Sequence, residues 1–243
     1  MARSAPGHHA LGEALRTILC IAAHPDDNEH VIAGSAARWA REGRDVVFCL
    51  VTSGGAGTNE HTQDSAGLIP IRERECREAA RILGVREVVF LGYQDGVVEP
   101  TLGLRRDLTR VLRRHRPDVV VCGDPTVRWY GSDYLNHPDH RAVASAALDA
   151  VFPSAETRAI FPELLTEGLA PHKVQQVLIA GSLEPDTWID IADTFDVKCA
   201  ALRAHVSQLG AGEWVEDVLR TWAERDGKRA GLKLAEAFRL MVL

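Results

Sequence analysis

The chain has 243 residues, 46% hydrophobic and 26% charged, with a formal net charge of -6. That is enough apolar side chain for one substantial core and no reason for a second domain. Lys and Arg are scattered rather than clustered, which argues against nucleic acid or an anionic membrane as a partner. No run approaches the roughly 18 apolar residues of a membrane span. The five cysteines are odd in number and show no C-x-x-C spacing, and Cys20, Cys49 and Cys122 fall in strand-like apolar runs. They read as buried free thiols, which suits a reducing compartment. Residues 1–16 hold no apolar stretch of signal-peptide length, so a cytoplasmic location is expected.

In chain order, residues 1–16 read as a Gly- and His-containing tail, a candidate for disorder, and 17–243 as one domain. A strand at 17–23, a helix at 28–42 and a strand at 45–51 make a βαβ unit. The alternation continues with a helix at 71–83, a strand at 87–91, a helix at 104–115, a strand at 118–122 and a helix at 138–150. Gly43, Gly84 and Pro117 stand between a helical pattern and the next strand, where a helix ends readily. The rhythm predicts an α/β, Rossmann-like three-layer fold: a mainly parallel sheet with helices on both faces. The arginines between Arg105 and Arg116 share a helical pattern with Leu104, Leu108, Val111 and Leu112, and are read as a solvated helix face. Past Phe152 the pattern loosens. Strands at 174–180 and 187–191 are expected to add a mixed edge, followed by helices at 194–205 and 213–229 and a short segment at 234–240.

Ligands of open parallel sheets bind at the carboxyl ends of the strands. The first strand ends in His24-Pro25-Asp26-Asp27, and a second cluster, His137-Pro138-Asp139-His140, opens the helix at 138–150. Proline disfavours the α conformation of the residue before it, so each histidine leaves its segment extended before a helix begins. His24 and Asp27 can then converge across the turn, with Asp26 left to face the open side. A lone Asp-Asp at a helix start is ordinarily a cap, but two His-Pro-Asp clusters in one domain supply a catalytic ligand set. His, Asp and His with one open position suit Zn2+, and the same set suits Fe2+. Asp26 is the candidate general base. Of His137 and His140, one is the third ligand, and the other can stabilise an oxyanion and protonate a leaving amine; the residues alone leave that choice open.

Ala23-His24-Pro25-Asp26-Asp27-Asn28 and His137-Pro138-Asp139-His140 resemble the A-H-P-D-D-E and H-P-D-H signatures of the LmbE-like (PIG-L) zinc-dependent N-acetylglucosaminyl deacetylases. The similarity extends through Thr52-Ser53-Gly54-Gly55, Arg72-Glu73-Arg74-Glu75 and Leu91-Gly92-Tyr93-Gln94-Asp95-Gly96. The resemblance implies zinc on His24, Asp27 and His140, Asp26 as base, and His137 as electrostatic and acid partner. It also implies that Arg72 and Asp95 hold sugar hydroxyls. Asn28 departs from the family's Glu and changes the local charge. Ser53 to Thr58 is either a simple loop or a pocket rim; it lacks the G-x-G-x-x-G spacing of a dinucleotide site. Trp129, Tyr130 and Tyr134 are candidates for stacking on a sugar face, core packing or a subunit contact. Asp124 and Asp139 are both candidates to support His137.

The expected function is a metal-dependent N-deacetylase acting on an N-acetylglucosamine-type sugar or conjugate, and a homo-oligomer is the expected assembly. An amidase of the same mechanism on a larger amide, such as a thiol conjugate or glycopeptide, is the first alternative. A non-catalytic sugar- or nucleotide-binding module is the second.

Overall fold

A computed structural model describes residues 7–8, 11–60 and 64–243. In chain order the first half contains β1 (Gly7–His8), β2 (Thr17–Ala22), α1 (Asp27–Val31), α2 (Ala33–Arg41), β3 (Asp45–Thr52), α3 (Ser65–Leu83), β4 (Glu87–Tyr93), α4 (Leu102–His115) and β5 (Val119–Gly123). There follow β6 (Trp129–Tyr130), β7 (Tyr134–Leu135), α5 (Pro138–Asp149), an irregular π-type turn (Ala150–Ala155), α6 (Glu163–Thr166), β8 (Gln176–Ala180) and β9 (Thr187–Asp190). The chain closes with α7 (Phe195–Arg203), α8 (Val206–Leu209), α9 (Val215–Ala230) and β10 (Ala235–Val242).

The main sheet runs β1-β9-β10-β8-β5-β2-β3-β4. From β8 to β4 every pairing is parallel, and β10 lies antiparallel to both β8 and β9. Alternate residues of β2 face opposite cores. Ile18 and Cys20 pack with Trp39, Cys76, Phe195 and Leu219 on one face. Leu19 and Ile21 pack with Leu104, Leu108, Val143 and Ala147 on the other. Helices therefore cover both faces, as the βαβ rhythm requires. All five cysteines are buried and free. Among the described residues no helix is long and apolar enough to cross a membrane.

Three departures from the sequence pattern go beyond a shift of a residue or two at an element's end. The helix expected at 28–42 breaks at Ile32, whose backbone leaves the α region (φ -129, ψ 4). The reason lies on the distant β10, where the buried Glu236 carboxylate accepts from Gly34 N at 3.0 Å and Ser35 N at 2.7 Å. A carboxylate on those first N–H groups starts α2 afresh. Helix α3 begins at Ser65 rather than 71, capped by Asp64, and carries Pro70 inside it. The segment expected at 234–240 inserts as β10 between β8 and β9, so the mixed edge is three strands wide in its order β9-β10-β8. Of the expected tail, residues 1–6 and 9–10 lie outside the described residues. Gly7 and His8 pair with Thr187 and Trp188, and Leu11 and Leu15 are buried in the core, so the folded body reaches back before Thr17.

The chain winds from β2 through β3 to β4 in one direction, and from β5 to β8 in the other. The carboxyl ends of the adjacent strands β2 and β5 thus flank a topological switch point, where the connections diverge and leave a crevice. His24 follows β2. The long connection after β5 delivers His137 and His140.

Candidate metal centre and active site

The turn after β2 is held by its own acid. Asp27 Oδ2 accepts from Ala23 N at 3.1 Å and His24 N at 2.8 Å, and Asp27 N donates to His24 O at 3.3 Å. This closed turn brings His24 Nδ1 to 3.4 Å from Asp27 Oδ2. His140, near the start of α5, completes a triangle of side chains: its Nε2 lies 3.2 Å from His24 Nδ1 and 3.1 Å from Asp27 Oδ1, the carboxylate oxygen other than the one facing His24. Donors placed tetrahedrally about 2.0–2.2 Å from one zinc ion stand about 3.3–3.6 Å apart. The three observed separations, which involve both Asp27 oxygens, are close to that length.

The ring tautomers are set from behind. Asn136 Nδ2 donates to Val127 O at 2.8 Å, so its Oδ1, 3.0 Å from His140 Nδ1, accepts from an N–H at that nitrogen, which keeps the proton there and leaves His140 Nε2 a lone pair. His24 Nε2 faces Asp95 Oδ1 at 3.0 Å, off the N–H axis, and Asp139 Oδ2 at 3.5 Å, which leaves Nδ1 toward the triangle. Burial disfavours a charged His24, but Asp27, Asp139 and Asp95 outweigh it and hold its pKa up to about 12. Burial likewise opposes ionised Asp27, yet His140 and His24 keep it well below the usual carboxylate range. Such a concentration of carboxylates around one imidazole is a place that calls for positive charge.

His137 is the N-cap of α5, and its Nδ1 accepts from Asp139 N at 3.2 Å. Its ring sits edge-on to His24 at 4.8 Å between centroids. Burial first, then the neighbouring His24, lowers its pKa below that of an ordinary histidine. Ring nitrogens of His24, His137 and His140 all fall within 4.8 Å of one another, as do donor atoms of His24, Asp95 and Asp139. Between the two candidates to support His137, Asp139 is the neighbour, with Oδ1 3.8 Å from His137 Nδ1. Asp139 is fully buried and also accepts from Gly96 N and Val98 N. Asp124 is occupied elsewhere, capping Thr126.

Arg72 and Asp95 both reach the cluster, facing inward. The buried Arg72 donates to Asp26 Oδ1 at 2.9 Å and to Gly54 O at 3.0 Å. Asp95 meets His24 with one oxygen and accepts from Ala56 N at 2.8 Å with the other. The Ser53–Thr58 loop is therefore a wall of the site. Gly54 has φ +68, and a Cβ there would collide with the Arg72 guanidinium, so only glycine fits. Trp129 and Tyr134 lie on the β6–β7 hairpin, 60% and 54% exposed. Tyr130 points back, its hydroxyl donating to Gly181 O at 2.9 Å. Asn136 escaped the sequence reading; its one signal was a polar side chain directly before His137.

The PIG-L family, described as GlcNAc-PI de-N-acetylase, matches residues 19–151. The chain belongs to the PIG-L family. It is similar to a diacetylchitobiose deacetylase of Thermococcus kodakarensis, 32% identical over 93% of this chain and 84% of that one. It is also similar to a 1D-myo-inositol 2-acetamido-2-deoxy-alpha-D-glucopyranoside deacetylase of Mycobacteroides abscessus, 30% identical over 80% of this chain and 82% of that one. Among solved structures, an N,N'-diacetylchitobiose deacetylase from Pyrococcus horikoshii superposes with a TM-score of 0.87 at 31% identity, covering 95% of this chain and 85% of that one. The matched stretch holds every member of this PIG-L chain's His and Asp cluster, an arrangement able to bind a metal ion.

Proposed function

We propose that the protein is a zinc-dependent hydrolase that removes the N-acetyl group from an N-acetylglucosamine-type sugar or conjugate. The observation that carries this reading is the triangle of the His24, Asp27 and His140 side chains, whose facing atoms, both Asp27 oxygens among them, stand 3.1–3.4 Å apart beside a carboxylate that is not one of its corners. The donor chemistry fits zinc: two imidazoles, the second nitrogen of His140 held by Asn136 and that of His24 facing Asp95 and Asp139, and one carboxylate. When bound, zinc polarises an amide carbonyl and acidifies water.

The remaining work falls to the chain's own residues. Asp26 has Oδ1 held by Arg72, and this leaves Oδ2 to take a proton from the attacking water. That proton is the one the departing amine needs. His137 accepts a backbone N–H at Nδ1, so its neutral ring carries hydrogen on Nε2 and donates it to the carbonyl oxygen as charge develops there. Its lowered pKa favours this neutral donor form at neutral pH. Asp139 and Asp95 keep the His24 ring from turning.

The test is amine and acetate release from N-acetylglucosamine, N,N'-diacetylchitobiose and an acyclic acetamide, with zinc-loaded and chelator-stripped protein. Release from the sugars that is lost on stripping and restored by zinc is the expected result. Zinc-loaded protein that binds these sugars but releases nothing would leave a binding module in place of an enzyme.

A further inference from the structure

The carbonyl carbon of an N-acyl sugar bears two substituents, and a trigonal centre sends them in different directions. One is the nitrogen with its sugar; the other is the alkyl part of the acyl group. Asp26, Arg72, Asp95 and His137 make one side of the centre charged and polar. None of them lines the cavity of about 110 Å³ in whose wall Asp27 and His140 stand. Ala23, Val31, Val121, Val143 and Ala180 give it apolar walls at the strand ends and on α1 and α5, and of the further polar side chains that line it Asp124, Tyr130 and Asn136 are already hydrogen-bonded within the chain. Sugar hydroxyls would find few partners there, whereas alkyl carbon gains by leaving water.

We propose that this cavity receives the acyl group and admits straight acyl chains of up to about four carbons. The inference rests on the deacylase reading of the same centre and names the range of its substrates. A dry cavity of about 150 Å³ holds benzene, six carbons, so about 110 Å³ corresponds to about four. Tyr130, tied to Gly181 O, also lines the cavity. Asn28 also lines the cavity, 5% exposed, and its Nδ2 has no hydrogen-bond partner among the described residues, which leaves one donor for an acyl oxygen in an otherwise mainly apolar wall. Where the related signature has Glu, this chain presents an uncharged amide, so no third carboxylate joins Asp27 and Asp124 in the wall.

The test has two arms on zinc-loaded protein. Amine release is measured from glucosamine bearing N-acetyl, N-propanoyl, N-butanoyl and N-hexanoyl groups, and binding of acetate, propanoate and butanoate is measured by calorimetry. The expected kcat/KM for propanoyl and butanoyl lies within about threefold of acetyl, with a fall of tenfold or more at hexanoyl. Butanoate should bind about tenfold more tightly than acetate, the gain of two buried methylenes. Val31→Phe, at a 42% exposed position that tolerates bulk, and Ala180→Val should each lower the butanoyl-to-acetyl ratio. A tenfold loss already at propanoyl, with butanoate binding no tighter than acetate, would overturn the proposal. If no N-acyl sugar is cleaved while the acids still rank by chain length, the sugar deacetylase reading fails and the acyl cavity stands. If neither cleavage nor ranking is seen, both fall.

Discussion

Arg72 Nη2 donates to Asp26 Oδ1 across 2.9 Å while Nη1 of the same guanidinium holds the Gly54 carbonyl at 3.0 Å. A side chain from α3 therefore fixes the carboxylate proposed as base against the loop that follows β3. Misplacing a reacting group by about 1 Å can cost about 10²-fold. Arg72→Ala is accordingly expected to lower kcat about 10–100-fold on both an acetylated sugar and a simple acyclic acetamide, with zinc content unchanged. A loss confined to the sugar would return Arg72 to the hydroxyl-binding role that the family resemblance implies.

Asp26→Asn keeps the shape of the side chain and removes its basicity. Zinc content should be retained while turnover drops by about 10²–10⁴, the usual contribution of a general base. Parallel loss of zinc and rate, read by elemental analysis beside initial rates, would exchange the roles of Asp26 and Asp27.

His140→Ala removes one corner of the donor triangle and leaves Asp27 Oδ1 without its neighbour at 3.1 Å. The variant should emerge from zinc-replete medium with little or no metal. Full occupancy would take His140 out of the ligand set and favour His137, which also lies within reach of His24.

Outside the site, His172 is half-buried with Nε2 2.7 Å from Pro117 O, and burial lowers its pKa. The unfolded chain, with a histidine pKa of about 6.5, takes up the proton first as pH falls. The stability from keeping the ring neutral is thus present above about pH 6.5 and is lost as pH drops through the lower folded value. His115, also lowered by burial, acts in the same direction. The contribution of these two groups to Tm should fall between about pH 7 and about pH 5, so the difference in Tm between the parent protein and His172→Gln should shift against the parent as pH is lowered across that range. An identical pH profile in the variant would remove His172 as a cause.

Lys198 Nζ meets Glu236 Oε1 at 2.5 Å, and both side chains are 5% exposed. Lys198→Met strands a buried carboxylate that also caps α2, and removing one partner of such a pair costs about 3–5 kcal/mol. Urea unfolding should register a loss of that size. A loss under about 1 kcal/mol would mean that the backbone donors Gly34 and Ser35 suffice for Glu236.

The sequence by itself determined the alternation of strands and helices, the burial of the cysteines and the two His-Pro-Asp turns, because each is written within a few consecutive residues. Strand period, helix period and the constraint that proline places on the preceding residue act locally, so His24, Asp26 and Asp27 were legible as a group, and so were His137 and His140. Only the tertiary structure decided how the groups meet. Arg72 stands 46 residues from Asp26, and Asp95 reaches His24 from the end of β4. Asn136, unremarkable as a residue type, gained its role because the turn after β7 aims it at His140. Glu236 restarted α2 from about 200 residues away, which no local pattern at Ile32 could announce. Side chains pointing from different strand ends share a crevice only after the sheet is wound in both directions from β2 and β5, and that winding is set by packing on its two faces rather than by any one segment.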